Sequence, residues 1–166
     1  MGNLFGNIYY IFSGIFGQYL SDYLWGYNCE TTTFDPPGAY LPIGLVMTVV
    51  TVLFVVLYYF ILDRPKLDNI LTWFAFLVSS AAINFFVGAV WVLRHLNNGY
   101  IGDCLRYIMN EEGDILAENI TGYHCWMFGL ANAIVSVVLF LLLSALLKRW
   151  SVNCRHTPWV SNWPKK

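Results

Sequence analysis

Residues 41–62 read LPIGLVMTVVTVLFVVLYYFIL, a run of 22 residues without a charged side chain that ends at the charged segment 63–66. An α-helix rises about 1.5 Å per residue, so about 20 apolar residues cross a hydrocarbon core ~30 Å thick. Residues 70–93 and 125–147 form two further charge-free runs of similar length. The sequence therefore predicts three transmembrane helices, one for each of these runs.

The composition of the whole chain indicates the same class of protein. Of the 166 residues, 58% are hydrophobic and only 11% are charged, whereas an ordinary soluble domain carries roughly 25% charged residues. A soluble chain of this length could not cover three helices that are apolar on every side. We therefore expect an all-α integral membrane protein, a bundle of transmembrane helices. The net charge of −1 offers no field that would attract nucleic acid, so no nucleic-acid partner is expected.

The N-terminal segment, residues 1–27, is harder to place relative to the membrane. Aromatic and aliphatic side chains recur at helical spacing on one face, and Asn, Gln, Ser and Gly recur on the other. This pattern favours an aromatic, amphipathic helix that lies in the membrane interface. A fourth membrane span is the alternative. Residues 28–40 then form a short outer segment that leads into the first span.

The distribution of basic residues predicts the orientation of the chain. The loop 63–69 contains two Lys/Arg and the tail 148–166 contains five, whereas the loop 94–124 carries five acidic residues against two basic ones. By the positive-inside rule, the loop 63–69 and the tail lie in the cytoplasm, while residues 28–40 and 94–124 face outward. The expected location is the plasma membrane or a bacterial inner membrane, with a cytoplasmic C-terminus.

The C-terminal tail combines basic residues with three tryptophans. Lys and Arg are attracted to anionic headgroups, and tryptophan rings settle at headgroup depth. We expect the tail to run along the cytoplasmic membrane surface, in contact with lipids or with a partner; a mobile tail is the alternative. The residues expected to make these contacts are Lys148, Arg149, Trp150, Arg155, Trp159, Trp163, Lys165 and Lys166.

Polar side chains within the predicted spans are neutral. Asn84 and Ser80 lie in the second span and Asn132 and Ser136 in the third, but no acid or base lies in any span. A proton-coupled transporter acting alone is therefore not expected. Asn84 and Asn132 lie at similar depths in neighbouring helices, and a buried amide is costly unless it is hydrogen-bonded. A hydrogen bond between the helices is the favoured interpretation, and the lining of a pore in an oligomer is the alternative.

Three of the four cysteines, Cys29, Cys104 and Cys125, lie on the predicted outer side, and Cys154 lies inside. An oxidising outer side permits a disulfide bond. Cys104 could pair with Cys125, which would close the outer loop, or with Cys29, which would tie the N-terminal segment to that loop. Three free thiols are the remaining alternative.

The sequence contains no nucleotide-binding motif, no serine-hydrolase elbow and no C-x-x-C pair. We therefore expect no enzymatic activity, and we expect neither a bound cofactor nor a metal site. His95 and His124 flank the outer loop at the ends of adjacent spans, where two imidazoles could hold a haem. Hydrogen bonds to water or to the backbone are the ordinary role for such histidines.

No predicted segment outside the membrane is long enough for a catalytic or sensory domain. The favoured function is that of a small, non-enzymatic membrane subunit, which anchors or assembles a larger membrane complex or associates with itself as a scaffold. The expected partners are lipids and either further copies of the chain or other membrane subunits. A homo-oligomeric pore lined by neutral polar residues and a haem-bearing redox subunit are the two alternatives.

Overall fold

The computed structural model describes residues 2–35, 38–61, 69–110 and 114–150. Helices dominate, and four short strands lie in the connections between them. In chain order, the described elements are α1 (Gly2–Tyr10), α2 (Ser13–Phe16), α3 (Gln18–Trp25), β1 (Tyr27–Asn28), β2 (Thr33–Phe34), α4 (Tyr40–Val56), the π-helical turn Leu57–Ile61, α5 (Ile70–Asn97), α6 (Asp103–Arg106), β3 (Tyr107–Met109), β4 (Ile115–Glu118) and α7 (Gly122–Leu147).

Three helices among the described residues are long and apolar enough to cross a membrane: Tyr40–Ile61, Ile70–Asn97 and Gly122–Leu147. The prediction of three such helices is confirmed. The second helix continues four residues beyond the charge-free run, because Arg94 and His95 occupy its last turn, where cationic side chains are compatible with the helix dipole. The third helix begins three residues earlier than predicted.

The long helices form an antiparallel bundle with two clusters of buried side chains. Near the end where α4 begins and α5 ends, Ile43 and Met47 of α4 pack with Val92 of α5 and Phe128 of α7. We call this end the hairpin end. At the opposite end, the buried cluster includes Val55 and Tyr58 from the first long helix, Trp73 and Leu77 from α5 and Phe140 from α7.

Glycine allows α5 and α7 to approach closely. A Cβ atom added to Gly129 of α7 would lie 2.7 Å from the backbone oxygen of Phe85 and 2.8 Å from the Cβ of Ala89, both on α5. A Cβ on Gly88 would lie 3.0 Å from the side chain of Asn132. Small residues at such crossings are typical of packed membrane helices.

The N-terminal segment forms three short helices rather than the single helix expected from its periodicity. Gly17, with φ +92°, separates α2 from α3, and this left-handed conformation is one that glycine adopts without steric cost. The longest of the three, α1, has nine residues and is about 14 Å long, too short to cross the membrane. A continuous fourth span is therefore not formed. The expected interfacial location stays a prediction.

The three short helices fold back on the bundle at its hairpin end. The ring of Phe16 meets that of Phe128 edge-on, with centroids 5.2 Å apart. The absence of a side chain at Gly44 makes room for Phe5, since a Cβ there would lie 2.4 Å from the Phe5 ring. The segment is thus part of the hydrophobic core of the protein and is not a separate surface helix.

A disulfide bond joins Cys29 to Cys104, whose Cα atoms lie 6.1 Å apart. It links the turn between β1 and β2 to α6, which are 75 residues apart in sequence. Of the two pairings left open by the sequence, the structure therefore has the one that ties the N-terminal segment to the outer loop. Cys125 is a free, buried thiol, so the Cys104–Cys125 pairing is not formed. Cys154 lies outside the described residues.

Candidate functional site

Asn132 lies at the centre of a buried hydrogen-bond network. Its Nδ2 donates to the backbone oxygen of Asn84 at 2.6 Å, and its Oδ1 accepts from the hydroxyl of Tyr9 at 2.5 Å. The Nδ2 of Asn84 in turn donates to Oγ1 of Thr51 at 3.1 Å. The direct pair of amide side chains expected from the sequence is therefore replaced by a network that joins α1, α4, α5 and α7. Sequence reasoning missed Tyr9 and Thr51, although Thr51 is a polar residue within the first span.

The two serines singled out from the sequence share this interior. Ser136 donates to the backbone oxygen of Ala133 at 2.8 Å. Among the described residues, Ser80 Oγ and Asn84 Oδ1 have no hydrogen-bond partner. Ser80, Ser136 and both asparagines are at most 1% exposed, so one chain encloses them within its own bundle. This burial favours helix packing over the lining of a pore between copies.

His95 and His124 each have a local contact. Nδ1 of His124 accepts a hydrogen bond from the backbone N–H of Thr121 at 3.1 Å and completes the N-terminal cap of α7. The hydroxyl of Tyr23 lies 2.8 Å from Nδ1 of His95. Burial, with a smaller contribution from Tyr100, raises the pKa of Tyr23 to about 12, so its hydroxyl keeps the proton that it can donate to the imidazole. Both histidines thus contribute to helix ends and packing.

The described part of the chain contains no group of three or more His, Cys, Asp or Glu residues that could hold a metal ion. Of the tail residues, Lys148 and Arg149 directly follow α7, and Trp150 is 69% exposed. The other five fall outside the described residues; these are Arg155, Trp159, Trp163, Lys165 and Lys166.

The hairpin formed by β3 (Tyr107–Met109) and β4 (Ile115–Glu118) exposes several large apolar side chains, and we call these two strands the docking hairpin because they are a candidate binding surface. Ile115 and Leu116 on β4 are 57% and 66% exposed, and Ile108 and Met109 on β3 are also exposed. These side chains are not on the long helices, whose apolar surface is expected to contact lipid. Exposed apolar residues outside the membrane spans make this hairpin a candidate for an interaction surface.

The base of the docking hairpin is fixed while its strands stay exposed. The backbone N–H of Asn119 donates to the oxygen of Arg106 at 2.8 Å, and Leu105 and Ile120, which flank the strands, are buried in the core. The guanidinium of Arg106 lies over the Tyr107 ring, 4.8 Å from its centroid. The disulfide at Cys104 holds the same base from the other side.

Sequence reasoning did not identify this hairpin, because its strands are only three and four residues long and strands of that length leave little periodicity to detect. Its signal in the sequence is the apolar pair Ile115-Leu116, which lies between acidic residues of the loop. No family model matches the chain, and no curated protein or solved structure shows significant similarity to it.

Proposed function

We propose that this protein is a non-catalytic subunit of a membrane complex, and that it binds a partner protein outside the membrane through the docking hairpin. The long helices anchor the chain in the bilayer, and the hairpin presents the binding surface. The observation that carries the proposal is the exposure of Ile108, Met109, Ile115 and Leu116 on a hairpin whose base is fixed to the bundle.

Physical chemistry supports a role for this surface in binding. A two-stranded hairpin is only marginally stable unless an apolar face is packed against something. Burying one exposed Leu or Ile side chain contributes about 1.5–3 kcal/mol, so each of these side chains that a partner covers adds about that much to the free energy of binding. The free edges of β3 and β4 can also pair with a strand of the partner.

The charge of the hairpin favours a protein partner over the membrane surface. Asp114 and Glu118 lie on or beside β4, and Glu111 and Glu112 precede it in the sequence. Four carboxylates in this short segment oppose insertion of the hairpin into the apolar part of the bilayer, where charged side chains are costly. A partner with an apolar centre and a basic rim is complementary to this arrangement.

Photo-cross-linking in native membranes tests the proposal. A photoreactive residue at position 116, on the hairpin, should give a discrete protein adduct. The matched position is Leu142 on α7, which is 58% exposed and is expected to face lipid. A photoreactive residue there should give lipid adducts without that protein band. Lipid adducts alone at position 116 would contradict the proposal.

A matched pair of substitutions then measures the contribution of the hairpin to binding. Leu116→Ala should weaken binding of the cross-linked partner by about tenfold or more, because it removes most of one apolar anchor. Leu142→Ala, the same change on the long helix, should leave binding unchanged. Thermal unfolding of both variants in detergent shows whether the fold is intact. Equal affinities for the two folded variants would refute a role of the hairpin.

A further inference from the structure

A pocket of about 410 Å³ lies between α1, α3 and β2 at the hairpin end of the molecule. It is independent of the docking hairpin, since none of its lining residues belongs to β3 or β4. Three aromatic rings and a carboxylate share its wall with two amide side chains. These lining residues are Tyr10, Trp25, Phe34, Asp22, Asn7 and Gln18.

Two of the aromatic walls stand nearly at right angles to each other. The rings of Tyr10 and Trp25 have centroids 6.4 Å apart and an interplanar angle of 71°. Trp25 is held in place by the ring of Tyr40, 5.9 Å away and also edge-on. The indole also packs against Gly6, where any side chain would overlap it, since an added Cβ would lie 2.2 Å from the ring. The Trp25 wall is therefore positioned by packing before any ligand arrives.

The wall of the pocket includes the carboxylate of Asp22, and none of its lining residues is Lys, Arg or His. The carboxylate of Asp22 accepts a hydrogen bond from Nε2 of Gln18 at 2.9 Å, and this neutral donor leaves its charge in place. The other acids among residues 1–40, Glu30 and Asp35, have the same sign as Asp22. A cation that entered the pocket would therefore meet an acidic side chain in its wall and no basic one.

We propose that this pocket binds an organic ammonium group, of the kind found in choline or in the headgroup of a choline lipid. A cation over the face of Trp or Tyr is attracted by the negative face of the ring, and several rings around one ammonium form an aromatic cage. The Asp22 carboxylate adds a direct electrostatic attraction. Phe34 adds a third aromatic side chain to the wall of the pocket, and this residue is 47% exposed.

Calorimetry on the full chain in a non-ionic maltoside detergent provides the test. The probes are choline and 3,3-dimethyl-1-butanol, which has the same shape but carries a carbon in place of the charged nitrogen. Choline should bind about tenfold or more tightly than the neutral alcohol, because only the cation gains from the rings and the carboxylate. Equal affinity for the two probes, tighter binding of the neutral alcohol, or binding of neither probe would overturn the proposal.

Two variants assign the binding to this pocket. Asp22→Asn keeps the size of the side chain and removes its charge, and should reduce choline affinity by about fivefold or more. The matched control is Glu30→Gln, an acid-to-amide change at an exposed residue that does not line the pocket, and choline should bind it as it binds the natural protein. Phe34→Leu removes one ring on an exposed strand and should also weaken binding. Equal effects of Asp22→Asn and Glu30→Gln would overturn the assignment.

Nanodiscs distinguish the two sources of the ammonium group. If the natural ligand is a lipid headgroup, discs of phosphatidylcholine should block added choline, whereas discs of phosphatidylglycerol should leave the pocket open. If the ligand is a soluble amine, choline should bind equally in both discs. Either result supports ammonium recognition, and failure of choline to bind in both discs would contradict it.

Discussion

Replacing Tyr9 by phenylalanine should destabilise the protein by much more than the loss of one surface hydroxyl would. The hydroxyl donates to Oδ1 of Asn132 at 2.5 Å, and both side chains are 0% exposed. The phenylalanine ring can keep the stacked contact with Tyr40, where the centroids are 5.3 Å apart, so packing is preserved. The variant leaves a buried oxygen of Asn132 without a donor, and such a group costs about 1–3 kcal/mol. We expect the free energy of unfolding to fall by about 2 kcal/mol.

A double-mutant cycle isolates this hydrogen bond. Asn132→Leu alone leaves the Tyr9 hydroxyl buried without its acceptor, whereas the double variant Tyr9→Phe/Asn132→Leu removes both partners. The double variant should therefore be more stable than the sum of the single effects implies, by about 1 kcal/mol. Reversible unfolding by dodecyl sulfate in mixed micelles, followed by circular dichroism, measures all four free energies.

A second cycle on distant residues is the control. Ser144 accepts a hydrogen bond from Nε1 of Trp73 at 3.4 Å at the opposite end of the bundle. Tyr9→Phe and Ser144→Ala should be additive within about 0.5 kcal/mol, because the two sites share no partner. If the Tyr9 and Asn132 effects are equally additive, the network does not contribute to stability in the way the hydrogen bonds imply.

The same network predicts weaker coupling between the two asparagines. Asn132 donates to the backbone oxygen of Asn84, and substitution of the Asn84 side chain leaves that oxygen in place. Asn84→Leu and Asn132→Leu should therefore show less coupling than Tyr9→Phe and Asn132→Leu in the same unfolding experiment. Stronger coupling between the asparagines would indicate a direct contact of their side chains.

Two further experiments test the close contact between α5 and α7 and the disulfide bond between Cys29 and Cys104. Gly129→Ala should lower the free energy of unfolding by about 1–3 kcal/mol, because its Cβ would lie 2.7 Å from the Phe85 oxygen. The control is Gly14→Ala, which should have little effect because a Cβ at Gly14 meets nothing within 4 Å. Similar losses of stability in the two variants would show that the close approach of α5 and α7 is unimportant. Removing the disulfide with Cys29→Ser and Cys104→Ser should lower the free energy of unfolding by about 2–4 kcal/mol in the same assay. A reducing agent should lower the stability of the natural protein by the same amount and leave the double variant unchanged. If reduction does not destabilise the natural protein, the disulfide does not stabilise the fold.

The long helices could be predicted from the sequence because one physical requirement dominates them. A segment that crosses hydrocarbon must be apolar over about 20 residues, and the three charge-free runs meet this requirement without any tertiary information. The predicted ends of the helices were less accurate, because a charged residue marks the edge of the hydrocarbon core. The backbone hydrogen bonds of a helix can continue beyond that edge. Arg94 and His95 end the apolar run but continue α5 for another turn.

The contacts that define the candidate sites depend on tertiary structure that periodicity does not encode. Tyr9 and Asn132 are 123 residues apart, and the sequence left the pairing of Cys104 open. The periodicity of the N-terminal segment indicated its apolar face but not the points where the helix is interrupted. Glycine is the residue type that favours such an interruption, and Gly17 lies at one of them. The aromatic pocket forms only because these breaks bring Tyr10 of α1 close to Trp25 of α3.

The N-terminal segment connects the interior of the bundle to both proposed binding surfaces. Through Tyr9, α1 is hydrogen-bonded to the centre of α7, and α3 leads through β1 to the disulfide at Cys29. That disulfide fixes the base of the docking hairpin, while α1 and α3 supply most of the aromatic pocket. Binding to surfaces that are already ordered costs less conformational entropy than binding to mobile loops. The division of this segment into three packed helices therefore places both proposed binding surfaces at one end of the bundle, as the proposed role of a non-catalytic membrane subunit requires.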